Sequence, residues 1–264
     1  MKNRASHPFA ATLALLFLLA LAFPAVAKTP GPVFQVSTID ALLAGVFDGS
    51  MTFGELKSHG DFGLGTVNAL DGEMVAVDGV FYQVAVDGTV RVIQADETTP
   101  FADVAFFSPE QSVKLAPGLD LEALKAALDA ALPSPNLFYA VRVDGMFPSV
   151  VTRSVPRQEK PYPTLTEAAK KQNVFHFDKI DGSLIAFRFP DNVGGMGVPG
   201  WHLHFIGKDR ARGGHVLDLR TGEAMTANID TLAAYEIVLP ASGEFLTRNP
   251  GAGKKQALEA VEKK

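Results

Sequence analysis

The dipeptide Asp-Gly recurs at Asp71-Gly72, Asp78-Gly79, Asp87-Gly88, Asp144-Gly145 and Asp181-Gly182, mostly between short apolar runs. Asp-Gly favours the type I′ turn, whose twist matches that of the strands it joins. A chain punctuated in this way is directed toward antiparallel hairpins. Met74–Val77 and Val80–Val86 flank Asp78-Gly79, and Thr89–Ile93 follows Asp87-Gly88, so a three-stranded meander is predicted over 73–93. Leu137–Val143 and Met146–Arg153 around Asp144-Gly145 predict another hairpin. Val174–Phe177 and Ser183–Phe189 predict two strands with a turn near Asp181-Gly182. Further strands are expected at Trp201–Ile206, His215–Leu219, Met225–Ile229 and Tyr235–Leu239. The repeated dipeptide is shared turn chemistry, not a sequence repeat.

Helical signals are few and short. Ile39–Phe47 follows Ser37 and Thr38, either of which suits an N-cap, and Thr52-Phe53-Gly54-Glu55 has capping-box spacing. Leu119–Leu132 has apolar residues at helical spacing until Pro133 stops it. Thr164–Lys171 and the tail Lys254–Lys264 complete the set. The expected fold is strand-rich α+β, with mixed or antiparallel sheets in two lobes and a few short helices. Pro133-Ser134-Pro135-Asn136 is the candidate divide between the lobes.

Composition removes several functions. There is no cysteine, so disulfides, Fe–S clusters, thiolate zinc sites and cysteine nucleophiles are excluded together. The formal charge is −5 and the body has no basic block, which argues against nucleic-acid binding. Residues 1–27 read as a secretory signal peptide: Lys2 and Arg4, then the apolar run Leu13–Phe23, then Ala25-Val26-Ala27 for cleavage. No later stretch is long and apolar enough to span a bilayer, so the expected product is a soluble exported protein, periplasmic or extracellular.

Three histidines then stand out. In HLHFIGKDRARGGH, His202 and His204 alternate along a predicted strand and share a face. The turn residues of 207–214 let the chain return as a neighbouring strand and bring His215 beside them. Three imidazoles on one surface are the ligand set of an open zinc-type site, although nickel, cobalt and copper suit the same donors. His59 and His176 have no such company and read as structural or surface residues. A cupin expects a glutamate three or four residues after His-x-His, where this chain has Lys208 or Asp209. The step from His204 to His215 is too short for the carbonic anhydrase pattern.

Six segments resemble bacterial α-acetolactate decarboxylases: FQVSTIDALLAGVFDG, GDFGLGTVNALDGEM, FYAVRVDG, TRSVPRQEKPYPTL, VPGWHLHFI and GGHVLDL, in family order. The resemblance makes 28–264 one catalytic unit. It implies a carboxy-lyase that converts 2-acetolactate to acetoin and CO2, acts as a homodimer, and uses a divalent metal, usually zinc, on His202, His204 and His215. It further implies Glu73, Arg153 and Thr66 as active-site residues. A tail glutamate near the metal falls at Glu262, or alternatively Glu259. In such a reaction the metal takes up developing negative charge. Glu73 would donate a proton, Arg153 would orient the carboxylate and Thr66 would hydrogen-bond the substrate. The alternatives are an exported metal- or small-ligand-binding protein without catalysis, and a cupin-like metal oxygenase. A pure binder needs neither Glu73 nor Arg153 beside the histidines.

Overall fold

The computed structural model describes residues 30–249 and 255–262; the signal sequence read at 1–27 lies outside them. The described chain is a strand-rich α+β fold. Its seven-stranded sheet has the order β15 (Ala234–Val238), β1 (Pro32–Val36), β8 (Ala102–Ala105), β3 (Phe62–Thr66), β4 (Glu73–Val77), β5 (Val80–Val84), β6 (Val90–Val92). A six-stranded sheet has the order β11 (Asn173–Phe189), β12 (Gly200–Gly207), β13 (Gly213–Arg220), β10 (Phe138–Ser154), β14 (Thr226–Leu232), β9 (Gln111–Lys114). A small ladder joins β2 (Met51–Thr52) to β7 (Thr98–Thr99). Only β1 with β15 is a parallel pair among the strands described, so the first sheet is mixed. The two large sheets share one core, in which Val33, Phe62 and Leu64 of the first meet Phe187, Phe189 and Ile206 of the second.

The helices are α1 (Ile39–Leu43), α2 (Phe53–Leu56), α3 (Leu121–Ala131), α4 (Leu165–Ala169) and α5 (Lys255–Glu262). Thr38, Thr52, Asp120 and Thr164 each accept a backbone N–H at the start of a helix, as their residue types favour. The apolar residues Leu42, Leu165, Leu258 and Val261 draw α1, α4 and α5 into one cluster. Leu42 and Leu165 of that cluster line one cavity together with residues of β3 and β12.

The Asp-Gly signals divide into two groups. Asp78 and Gly79 both take positive φ, 54° and 74°, and close the β4–β5 hairpin as predicted. The hairpin at Asp144-Gly145 and the turn at Asp181-Gly182 are corrected: β10 and β11 run straight through these dipeptides as 17-residue strands. They pair with each other along that length, and Gly145 lies directly opposite Gly182. The pairing of β10 with β11 closes β11, β12, β13 and β10 into a ring. A Cβ on Gly182 would run into the Phe205 ring and stand 2.6 Å from the Ile206 carbonyl oxygen. Gly182→Ala should therefore destabilise the fold by about 1–3 kcal/mol. The check is a lower urea midpoint at an unchanged slope.

The stretch Pro133–Asn136 joins α3 to β10, both packed in the core of the second sheet. The chain passes from the first sheet to the second earlier, between β8 and β9.

Candidate metal centre

Strand register builds the site in two facing rows. In the second sheet His204 lies directly opposite His215, and His215 lies directly opposite Arg153. One row across β12, β13 and β10 thus carries two imidazoles and a guanidinium on one face. His202 joins them from two residues earlier on β12, by the alternation of a strand. In the first sheet Thr66 pairs with Glu73 across β3 and β4, and both face the histidines into one cavity. Gly214 takes φ +130°, and a Cβ there would stand 2.5 Å from the Arg153 carbonyl oxygen. A glycine before His215 lets β13 lie close against β10.

The three rings are mutually 5.0–5.2 Å apart between centroids. One nitrogen from each lies within 4.8 Å of the others. All three rings are buried. His204 Nδ1 lies 2.8 Å from the Met74 carbonyl oxygen, which can only accept, so Nδ1 carries the proton and Nε2 keeps its lone pair. His204 Nε2 and His215 Nδ1 have no hydrogen-bond partner among the described residues. Buried polar atoms are normally paired, so converging lone pairs of this kind fit a cation. Burial holds His202 down to about 3, with the Arg153 charge adding to the effect. Burial likewise drives His204 and His215 well below the usual histidine range, aided by charges nearby. Neutral imidazole is the form a metal requires.

Carboxylates complete the cavity. Glu73 accepts a 3.0 Å hydrogen bond from Arg153 Nη1, and its Oε2 is 3.6 Å from His204 Nε2. Burial raises the Glu73 carboxyl to about 7; Arg153 opposes the rise and Glu262 assists it. Between the two tail glutamates the fold makes a choice. Glu259 is exposed on α5, whereas the Glu262 side chain turns inward, with Oε2 3.1 Å from His202 Nε2 and 4.0 Å from His215 Nδ1. Burial also raises the Glu262 carboxyl, against the pull of Arg153. Arg153 Nη2 donates to the Val261 carbonyl oxygen at 3.1 Å, so the arginine ties α5 to the site while it holds Glu73. His202, His204, His215, Glu73, Arg153, Thr66 and Glu262 all line this cavity, and the alternative Glu259 does not.

A sequence profile of the alpha-acetolactate decarboxylase family matches residues 33–249. The chain belongs to that family. The alpha-acetolactate decarboxylase of Methanosarcina mazei is 49% identical over 230 residues, covering 87% of this chain and 80% of the relative. That of Methylococcus capsulatus is 44% identical, covering 87% and 88%. The crystal structure of the Bacillus subtilis alpha-acetolactate decarboxylase superposes with a TM-score of 0.85 at 39% identity, covering 88% of this chain and 99% of that one. Membership makes the chain an enzyme of the decarboxylase class.

The rest of the cavity wall of this acetolactate decarboxylase family member carries no signal in the sequence. Leu42, Leu70, Phe101, Val155 and Leu165 face the histidines. They come from five separate segments and carry no local mark other than being apolar. Leu70 and its neighbour Ala69 take positive φ, 56° and 62°, in the turn that leads to Glu73. Non-glycine residues in that region carry strain and need surrounding support. Ala69 receives it from main-chain bonds to Phe47 and Gln158. The Thr66 hydroxyl donates to the Gly72 carbonyl oxygen at 2.6 Å and pins the end of the turn. Thr66→Val keeps the shape and removes that donor. It should cost about 1–3 kcal/mol of stability, the penalty for an unpaired buried carbonyl, as read by denaturant unfolding.

Proposed function

We propose that the chain converts 2-acetolactate to acetoin and CO2, with a divalent cation, zinc in the first instance, held by His202, His204 and His215. A cation bound there supplies Lewis-acid stabilisation of the negative charge that decarboxylation leaves on the keto oxygen. Glu73 keeps its proton to unusually high pH because it is buried, and it gives that proton to the carbon that has lost CO2. Arg153 positions Glu73 and orients the substrate carboxylate at the edge of the cavity. Its bonds to Glu73 and to the tail keep it from gripping that carboxylate so tightly that loss of CO2 is slowed. Leu42, Leu70, Phe101, Val155 and Leu165 receive the methyl groups of the substrate and exclude water. Glu262 lies close enough to the histidines to add a carboxylate oxygen to the cation.

The observation that carries this reading is the convergence of unpartnered imidazole nitrogens opposite a buried carboxyl and its arginine. A cation-binding protein without catalysis has no use for Glu73 and Arg153 at that place, so the enzyme reading is preferred over the binder. The test supplies racemic 2-acetolactate to purified protein and follows acetoin and CO2, before and after exhaustive chelation and then with cation restored. Unchanged turnover in protein shown by elemental analysis to be metal-free would defeat the cation's role. Turnover that depends on O2 would favour an oxygenase.

Export through residues 1–27 and assembly as a homodimer belong to the same proposal. The first rests on the leader composition and the second on the family resemblance. N-terminal sequencing of exported protein that begins at Lys28, and a solution mass of two chains, are the expected results.

A further inference from the structure

Asp103 is a buried carboxyl that the proposed mechanism does not use. It is 1% exposed, and its Oδ1 has no hydrogen-bond partner among the described residues. Burial pushes this carboxyl well above the usual carboxylate range, and the charge of Glu262 pushes the same way. Its neighbour across the ladder is Gln35. That amide is already committed: Nε2 donates to the carbonyl oxygens of Ser37 at 2.6 Å and Met196 at 2.9 Å, and Oε1 accepts from the Tyr235 hydroxyl at 2.7 Å. Neither Gln35 nor Tyr235 has a donor left for Asp103. A buried, unsatisfied polar group of this kind calls for a specific partner.

Strand register indicates where that partner lies. Phe101, Asp103 and Ala105 alternate onto one face of the chain along β8. Phe101 lines the cavity and Ala105 belongs to the core between the sheets, so Asp103 faces the second sheet. Across that core Phe187 packs on Phe62, which pairs with Ala105, and Phe187 itself pairs with His202. Two positions along from the Phe62–Ala105 pair stands the pair of Leu64 and Asp103. Asp103 therefore lies on the face of the first sheet that packs against β11, where Phe187 stands beside His202, and Glu262, which approaches His202 at 3.1 Å, is also the charge felt by Asp103. His202 turns Nε2 toward Glu262, and its other ring nitrogen, Nδ1, is a buried atom without a hydrogen-bond partner among the described residues.

We propose that Asp103 is a positioning residue for the cation site: its carboxyl oxygen accepts the Nδ1–H of His202 through one ordered water. The inference rests on the proposed cation site. A histidine that offers one nitrogen to a cation generally donates the other to a carboxylate, carbonyl or water, which fixes tautomer and ring orientation. His204 meets that requirement with the Met74 carbonyl oxygen. Asp103 and the water meet it for His202. Both orphaned atoms are satisfied together, and a water suits a polar gap between two such groups.

The test compares wild-type protein with Asp103→Asn and Asp103→Leu, using Zn2+ in competition with a chromophoric chelator. Asp103→Leu should bind Zn2+ roughly 10–100-fold more weakly. Its thermal midpoint in the metal-free form is measured alongside, so that the change in affinity is read on folded protein. Asp103→Asn retains an oxygen acceptor and should bind Zn2+ near the wild-type value. Equal affinity in all three proteins would overturn the proposal, as would a loss in the Asn variant as large as in the Leu variant. A destabilised Leu variant with unchanged affinity would mark Asp103 as a packing residue and overturn it also. A measurement independent of any variant is a high-resolution crystal structure of the Zn2+-loaded wild type. Density for a water bonded to both His202 Nδ1 and Asp103 supports the inference, and a dry gap overturns it. Failure of wild-type protein to bind Zn2+ at all is distinct, and would remove the cation site on which the inference rests.

Discussion

His204→Ala is expected to yield protein without bound cation and with turnover reduced about a thousandfold or more, the effect of losing several kcal/mol of charge stabilisation. Of the three proposed ligands, His204 has its second ring nitrogen held by a main-chain carbonyl. It stands between His202 on its own strand and His215 directly across the ladder, and its Nδ1–H is fixed by the Met74 carbonyl oxygen. Met74 follows Glu73 on β4, so the same hydrogen bond ties the histidine sheet to the strand that carries the proposed proton donor. Removing the ring loses one donor of the triad and leaves a buried carbonyl oxygen without its partner, which adds about 1–3 kcal/mol of destabilisation. Elemental analysis and the acetoin assay, run on one preparation, check both parts. Restored activity on adding metal alone, at stoichiometric cation, would show that two histidines and Glu262 suffice, and that His204 is not essential to the site.

The sequence was informative wherever the determining interactions are local. Strand alternation put His202 and His204 on one face, and the glycine-rich return brought His215 opposite. Caps at Thr38, Thr52 and Thr164 marked helix starts because the cap satisfies a neighbouring backbone N–H. Asp-Gly was ambiguous for a physical reason. The dipeptide permits positive φ, but whether it turns or lets a long strand coil depends on what packs against it. At Asp78-Gly79 little lies near the glycine, and the chain reverses. At Gly182 the Phe205 ring, 23 residues later in the chain, occupies the space a side chain would take, and the strand continues. The pairing of β1 with β15 joins chain segments some 200 residues apart, and no local pattern encodes it. The same holds for the cavity wall. Leu42, Leu70 and Leu165 are unremarkable apolar residues until α1, the turn before Glu73 and α4 close over the histidines. Membership of the family connects these distant parts, because the motifs that carry it are spread along most of the chain.

Glu73→Gln should leave the cation in place and lower turnover by about 10²–10⁴-fold, the usual range for a positioned general acid. The substitution preserves shape and an oxygen for Arg153 Nη1, and Glu73 stands outside the histidine triad. When CO2 departs, the electrons of the broken C–C bond move onto the adjacent keto group and leave an enediolate. In the proposed mechanism Glu73 gives its proton to the carbon and recovers one from water afterwards. Burial raises its carboxyl to about 7, so the acid form persists near neutrality. Above that value the carboxylate has no proton to deliver, and the rate should fall. The charge of a bound cation favours the carboxylate and moves this basic limb to lower pH. In Glu73→Gln the limb should disappear, since an amide does not titrate in this range. Stereochemistry gives a second readout. A proton delivered by Glu73 would come from one face, so the native product should be enriched in one acetoin enantiomer, whereas the residual product of the variant, protonated by water, should be close to racemic. Cation loss in Glu73→Gln equal to that in His204→Ala would make Glu73 a ligand first and end its role as the acid. An unchanged enantiomeric excess at reduced rate would place the proton donor elsewhere, with Arg153 and Glu262 the groups left to examine.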